Sequence, residues 1–150
     1  GFTRKDFLNL HPSGQLGKAL NLNVGSVQHG MDHVAAVAPD ATVKSVLFEM
    51  TRKPLGAACV VDSGGRLLGI FTDGDLRRGL ESDEQLLNRR VDESMTREPV
   101  CASPDMDLQT AAELMEARSS QISVLPVVDN STQKLVGLVR LHDIYQPSFS

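Results

Sequence analysis

The chain has 150 residues, 41% of them hydrophobic and 23% charged, with a net charge of −4. This composition excludes a disordered chain and leaves room for one ordinary domain or two small modules sharing a core. It also argues against nucleic acid as a partner. The basic residues are scattered apart from the pairs Arg77-Arg78 and Arg89-Arg90, and with no Trp and one Tyr there is no aromatic platform for bases.

The longest apolar runs, such as Ala57-Ala58-Cys59-Val60-Val61, have the length of a strand, so no membrane span is expected. The opening Gly1-Phe2-Thr3-Arg4-Lys5 has no apolar signal core, and a cytoplasmic location is the expectation. Cys59 and Cys101 sit inside apolar runs and read as small buried hydrophobes. No His/Cys/Asp cluster has ligand spacing, so no metal is expected.

In chain order, Thr3 and Asp6 stand at capping-box spacing, which predicts a short helix. Pro12 ends it, because the residue before a proline avoids helical backbone. Ser13-Gly14 then turns the chain before a second helical stretch through Leu20. On its own, His11 reads as a polar residue at a turn.

The segment Pro39-Asp40-Ala41-Thr42-Val43 recurs as Pro104-Asp105-Met106-Asp107-Leu108, an offset of 104 − 39 = 65. Apolar residues then fall at Val43, Val46, Leu47 and Met50, and again at Leu108, Ala111, Ala112 and Met115. Each set is the i, i+3, i+4, i+7 stripe of an amphipathic helix. Thr42 and Asp107 precede these helices, where an oxygen side chain caps free N–H groups. Beyond each helix comes a hairpin signal. Cys59 to Asp62, Ser63-Gly64-Gly65 and Arg66 to Phe71 correspond to Pro126 to Asp129, Asn130 to Gln133 and Lys134 to Val139. Helices are predicted to start near Asp73 and His142, and first strands near His33 to Ala38 and Val100 to Ala102.

The order is therefore β-α-β-β-α, twice, an α/β (α+β) chain. A single copy would leave one face of its sheet uncovered, so the two are expected to join as a pseudo-twofold pair. Boundaries fall at 1–22 for the leading segment, 23–82 for the first module and 83–150 for the second. The acidic stretch Glu81 to Asn88 reads as a solvated linking helix.

Chemistry concentrates where the second hairpin strand meets its helix. In the first copy the sequence is Gly69-Ile70-Phe71-Thr72-Asp73-Gly74-Asp75-Leu76. Gly69 lets another backbone or a ligand approach. Thr72 offers a hydroxyl at a helix N-terminus that favours phosphate, and Asp75 can accept bonds from two ribose hydroxyls. The same spacing is also close to a capping box. Arg77 and Arg78 could add charge near a phosphate, or be solvated surface. The second copy keeps Gly137 and Asp143 but has Arg140 in place of the hydroxyl. Arg140 could bind an anion by two parallel bonds, or fill the second site and abolish it.

The duplicated β-α-β-β-α unit with Gly-h-h-Thr-x-x-Asp resembles the tandem CBS-domain pair, over roughly the last four-fifths of the chain. That resemblance implies a cleft between modules holding an adenine nucleotide, with the hydroxyl on phosphate and the aspartate on ribose. Two further stretches, Gly1-Phe2-Thr3 with Asp6-Phe7 and His11-Pro12 with Gly14 and Leu16-Gly17, resemble the end of a sugar isomerase (SIS) domain. Together with Thr72-Asp73-Gly74-Asp75-Leu76-Arg77-Arg78 they resemble the arabinose-5-phosphate isomerase family. Members of that family interconvert ribulose 5-phosphate and arabinose 5-phosphate for synthesis of the outer-membrane sugar Kdo.

The resemblance places the family's active-site histidine at His11, with residues 1–22 the tail of a SIS domain. Ser13 replaces a usual glycine, and Ser26-Val27-Gln28-His29 replaces a more typical Asp-Ile-Met-His, leaving His29 as the match. His29 then either lines the cleft or sits at the surface. The SIS sugar-phosphate loop, its Glu and its Lys have no counterpart, so the chain reads as the C-terminal piece of a longer enzyme and not as an enzyme itself.

The expected function is a regulatory pair that takes AMP, ADP, ATP or CMP-Kdo and adjusts the attached isomerase. The expected ligand residues are Thr72, Asp75, Arg140 and Asp143, with Ile70, Arg77 and His29. No cofactor is required. The expected partners are the SIS domain of the same chain and further copies of the pair, with no membrane involved. The alternative is a structural module that supports oligomerisation of the isomerase without a ligand.

Overall fold

The computed structural model describes residues 22–116 and 122–145. His11 and the helices expected before Leu20 lie outside the described residues.

In the first repeat, β2 (Ala35–Val37) lies parallel to β3 (Ala57–Val61), which turns back into antiparallel β4 (Leu67–Thr72). Helix α2 (Val43–Arg52) buries Val43, Val46 and Met50 on this sheet, as the apolar spacing predicts. It starts at Thr42, whose side chain accepts a bond from the Ser45 N–H at 3.2 Å. Helix α3 (Asp73–Ser82) leaves the end of β4 directly.

The second repeat is built alike. Ala102 bridges β6 (Val124–Val128), which pairs with antiparallel β7 (Leu135–Arg140), and α5 (Leu141–Tyr145) follows. Helix α4 (Leu108–Glu116) buries Leu108, Ala111, Ala112 and Met115, the four positions of the predicted stripe. Asp107 accepts from the Thr110 N–H at 2.7 Å. The second hairpin turn is one residue longer than the first, and the two end on different residues. Gly65 has φ +87°, a left-handed backbone that glycine adopts freely, whereas Gln133 takes φ +63° at the corresponding position.

The two modules share an apolar core. Val34, Ala57, Cys59 and Ile70 from the first meet Leu135 and Leu138 from the second. The hairpin turns are also joined, because the Leu135 N–H donates to the Gly65 carbonyl at 3.0 Å. Burial within this seam pushes the Cys59 thiol up to about 12, with nearby Cys101 adding to the effect. Cys59 is fully buried and Cys101 half-buried, both as free thiols.

Two short segments cross between the modules. Helix α1 (Val24–Val27) and strand β1 (His29–Gly30) precede the first repeat in sequence, yet β1 pairs with β7 of the second. Strand β5 (Thr96–Arg97) precedes the second repeat and pairs with β4 of the first. The sheets therefore run β2-β3-β4-β5 and β1-β7-β6. The exchange is pseudo-symmetric to the level of single bonds. The Val24 N–H donates to the Met106 carbonyl and the Val91 N–H to the Ala41 carbonyl, at 2.8 and 2.7 Å. The recurring Pro-Asp-Ala/Met segment is thus the dock for the other module's leading residues. Val24 and Val91 are each fully buried in the core they visit, a burial that contributes about 1.5–3 kcal/mol apiece.

The connector differs from the solvated linking helix expected of Glu81 to Asn88. Helix α3 ends at Ser82, and Leu86–Asn88 form a short 3-10 turn whose Leu86 is buried in the first module's core. The reason is Gly79: a Cβ there would lie 2.7 Å from a Leu86 methyl, so its absence makes the space that Leu86 fills. One apolar residue in an acidic run was enough to anchor it.

Candidate ligand cleft

At the first strand-to-helix junction, Thr72 is the N-cap of α3, and Asp75 completes a reciprocal capping box. The Asp75 carboxylate accepts from the Thr72 N–H at 2.9 Å and from the Thr72 hydroxyl at 3.1 Å. Its other oxygen accepts from Arg78 Nη2 at 2.7 Å and from the Thr96 hydroxyl, on β5, at 3.0 Å. Asp75 is only 6% exposed, and both oxygens are engaged.

The second junction repeats the plan with different residues. The Asp143 carboxylate accepts from the Arg140 N–H at 2.9 Å, and from Arg140 Nε and Nη2 at 3.2 and 3.0 Å. His29 on β1 contributes Nε2 at 3.1 Å, which donates because an ionised carboxylate only accepts. Burial works to raise the Asp143 carboxyl, but the bonds from Arg140 and His29 outweigh it and hold the group below the usual carboxylate range. His29 and Thr96 correspond in the two halves. The cation comes from one turn into the helix in the first module and from the capping position itself in the second.

Between the modules lies a cleft of about 750 Å³, within the size range of small-ligand sites. Its walls include Ile70, Thr72 and Gly74 from the first junction and Arg140 and His142 from the second. Arg77 and Arg78 also border it, so three guanidinium groups meet two carboxylates, Asp73 and Glu98. Arg78 and Arg140 are ion-paired with Asp75 and Asp143. Arg77 is exposed and makes no ion pair among the described residues. Arg77 is therefore the cleft guanidinium that no carboxylate of the described residues neutralises, and Thr72 sets a hydroxyl beside the N-terminus of the ten-residue α3.

Of the residues singled out from sequence, Ile70, Thr72, Arg77 and Arg140 face this cleft together. Asp75, Asp143 and His29 are not among its lining residues and hold the junctions from behind instead. Gly69 and Gly137 make room for backbone. A Cβ on Gly69 would lie 2.8 Å from the Thr96 carbonyl oxygen, and one on Gly137 2.6 Å from that of His29. Sequence reasoning missed Thr96, which lines the cleft and bonds Asp75. The available signal was its offset of 96 − 29 = 67 from His29, within the range of offsets of the repeat itself. Among the described residues no group of three His, Cys, Asp or Glu is placed to hold a metal, and no helix is long and apolar enough to cross a membrane.

The sequence model of the CBS domain matches residues 24–82 and 89–146. Among curated proteins, the chain is 39% identical over 144 residues to arabinose 5-phosphate isomerase KdsD of Yersinia pestis and 38% identical over 144 residues to that of Pseudomonas aeruginosa. Each alignment covers 96% of this chain but 43% of the relative, so the chain spans less than half the length of these enzymes. Among solved structures, protein MJ1225 of Methanocaldococcus jannaschii aligns with a TM-score of 0.75 and 27% identity over 87% of this chain and 49% of that one. The CBS domain pair of protein MJ0100, solved in complex with 5′-methylthioadenosine and S-adenosyl-L-methionine, aligns with a TM-score of 0.65 and 25% identity over 74% of this chain and 87% of that one. CBSX2 in complex with AMP shares the fold, with a TM-score of 0.68 and 23% identity over 82% of this chain and 93% of that one.

Proposed function

The chain belongs to the CBS domain family, and from that premise we propose that its cleft binds the phosphate of a nucleotide or nucleotide-sugar and thereby modulates an attached arabinose 5-phosphate isomerase. The observation that carries the reading is the lining of the cleft: Arg77, Arg78 and Arg140 border it together with Thr72, the N-cap of α3. Guanidinium groups bind phosphate by paired, charge-assisted bonds, and a helix N-terminus adds to the field. Support for a nucleoside-type ligand comes from MJ0100 and CBSX2, whose structures hold adenosine derivatives. Support for the isomerase comes from the KdsD relatives.

In this reading, catalysis belongs to a sugar isomerase domain that precedes the pair and converts ribulose 5-phosphate to arabinose 5-phosphate for Kdo synthesis, with His11 contributing to its active site. Residues 1–22 join that domain to the pair, and the protein works in the cytoplasm. Ile70 supplies apolar contact to the ligand and Arg77 its unpaired charge. Asp75, Asp143 and His29 act by holding Thr72 and Arg140 in place. The ligand needs no metal, and AMP, ADP, ATP and CMP-Kdo are the candidates.

Calorimetric titration with these four compounds tests the proposal, repeated on Arg77→Ala. Arg77 is the choice because it makes no ion pair among the described residues, so its removal leaves the junctions intact. Saturable binding by one of the four, weakened roughly tenfold or more by the substitution, is the expected result. Silence from all four would favour the second reading, a module for oligomerisation. The specific observation on that side is Phe48, 68% exposed on α2, and light scattering across concentrations would read it out.

A further inference from the structure

Arg140 belongs to two places at once. It lines the cleft, and it makes paired bonds to the buried Asp143. Asp143 in turn is shared with His29, which stands on β1, the strand that arrives from the N-terminal side and docks on the second module. The first module lacks this link. There Asp75 takes its cation from Arg78, 69% exposed, and its partner on β5 is Thr96, which cannot carry charge.

We propose that Arg140, Asp143 and His29 form a relay: an anion in the cleft draws Arg140 away from Asp143, and His29 takes up a proton to replace the lost cation. The relay rests on the reading of the cleft as a phosphate site. Asp143 is 8% exposed, and its carboxylate must keep a cation or bear the full penalty of burial. His29 already donates Nε2–H to it, so protonation at Nδ1 sets a full positive charge against the carboxylate without moving the ring.

The surroundings leave few other candidates. From the elements against β1, the charged or titratable groups are Arg140 on β7, Asp143 and His142 on α5, and Asp32 and His33 on the following 3-10 turn. Of these, Asp143 bonds the ring, and the side chains of Asp32 and His33 belong to exposed residues. Ligand binding therefore tightens the clasp between β1 and the second module. Because β1 leads back toward residues 1–22, cleft occupancy is felt in the segment that the proposed function joins to the isomerase.

The test is the His29 imidazole itself, followed by NMR across pH in the chain with and without the best-binding member of AMP, ADP, ATP and CMP-Kdo. The resonance is assigned with His29→Gln. Ligand should raise the proton affinity of His29 by roughly tenfold. Arg140→Thr should raise it without ligand, and adding ligand should then change it little. Threonine at that position can cap α5 as Thr72 caps α3, and Arg140→Lys, which keeps the charge but cannot make the paired bonds, provides a second comparison with an intermediate rise. If a compound binds and His29 is unchanged, or if Arg140→Thr leaves His29 as it was, the relay is wrong while the cleft reading stands. If none of the four binds, the cleft reading fails and the relay fails with it.

Discussion

Gly137 on β7 lies beneath the His29 carbonyl of β1, so close that a Cβ on Gly137 would come within 2.6 Å of that oxygen. The Gln28 side chain covers the same spot, at 2.9 Å from the hypothetical atom. A backbone oxygen cannot retreat without breaking the β1–β7 pairing. Gly137→Ala should therefore destabilise the chain by about 1–3 kcal/mol, the usual range for overfilling a tight site. Gly69→Ala should do the same through the Thr96 carbonyl at 2.8 Å, although the Met95 side chain at 2.6 Å has freedom to move. Urea unfolding of both variants measures this, and equal stability to the parent chain would mean that the exchanged strands are only loosely held.

Asp75→Ala should also lower stability, by about 2 kcal/mol. It removes the capping-box acceptor of α3 and leaves the Thr96 hydroxyl and Arg78 without their partner. Thermal or urea denaturation checks the figure. A ligand-binding defect in this variant is thus expected to accompany a loosened junction, whereas one in Arg77→Ala is not. Full stability in Asp75→Ala would show that the cap contributes little and would free Asp75 for a direct role.

Asp143 sets an expectation for acid. Its folded carboxyl lies below the usual range because Arg140 and His29 favour the ionised form against burial. Its contribution is therefore complete above the unfolded value of about 4 and is lost as pH falls through the lower folded value. Asp143→Asn should cost about 1–3 kcal/mol at neutral pH, discounted because Arg140 is 32% exposed. The gap between the two proteins should narrow as pH falls below about 4. Stability curves from pH 2 to 7 read this directly, and a gap that stays level throughout would remove Asp143 from the acid response.

Helices α2 and α4, both hairpins and the caps at Thr42 and Asp107 were legible in the sequence, because each is written within about ten consecutive residues. Val43, Val46 and Met50 mark a face whatever lies opposite, and Thr42 reaches the Ser45 N–H with no help from elsewhere. The duplication, and with it the joining of two modules, followed from the same local patterns. The junction motif was legible as a choice between ligand and cap; the structure forms the cap, with Thr72 also bordering the cleft and Asp75 behind it.

What the sequence did not decide is who meets whom across the chain. Nothing local in Gln28-His29-Gly30 says that it will pair with residues 137 and 138, because that choice depends on where the second module comes to rest. The two-residue strands carry too little periodicity to register, and their pairing is chosen by Val24 and Val91 finding room in the other module's core. Tertiary structure likewise decided the fate of the aspartates. Once β1 and β5 bring His29 and Thr96 over the junctions, Asp143 and Asp75 lie buried with every oxygen engaged, and Arg77 is left as the cleft arginine without an ion pair among the described residues. Periodicity and capping act over one or two turns and can be read in order. Burial and charge pairing act between segments more than a hundred residues apart, as between His29 and Asp143, and exist only once the chain has folded.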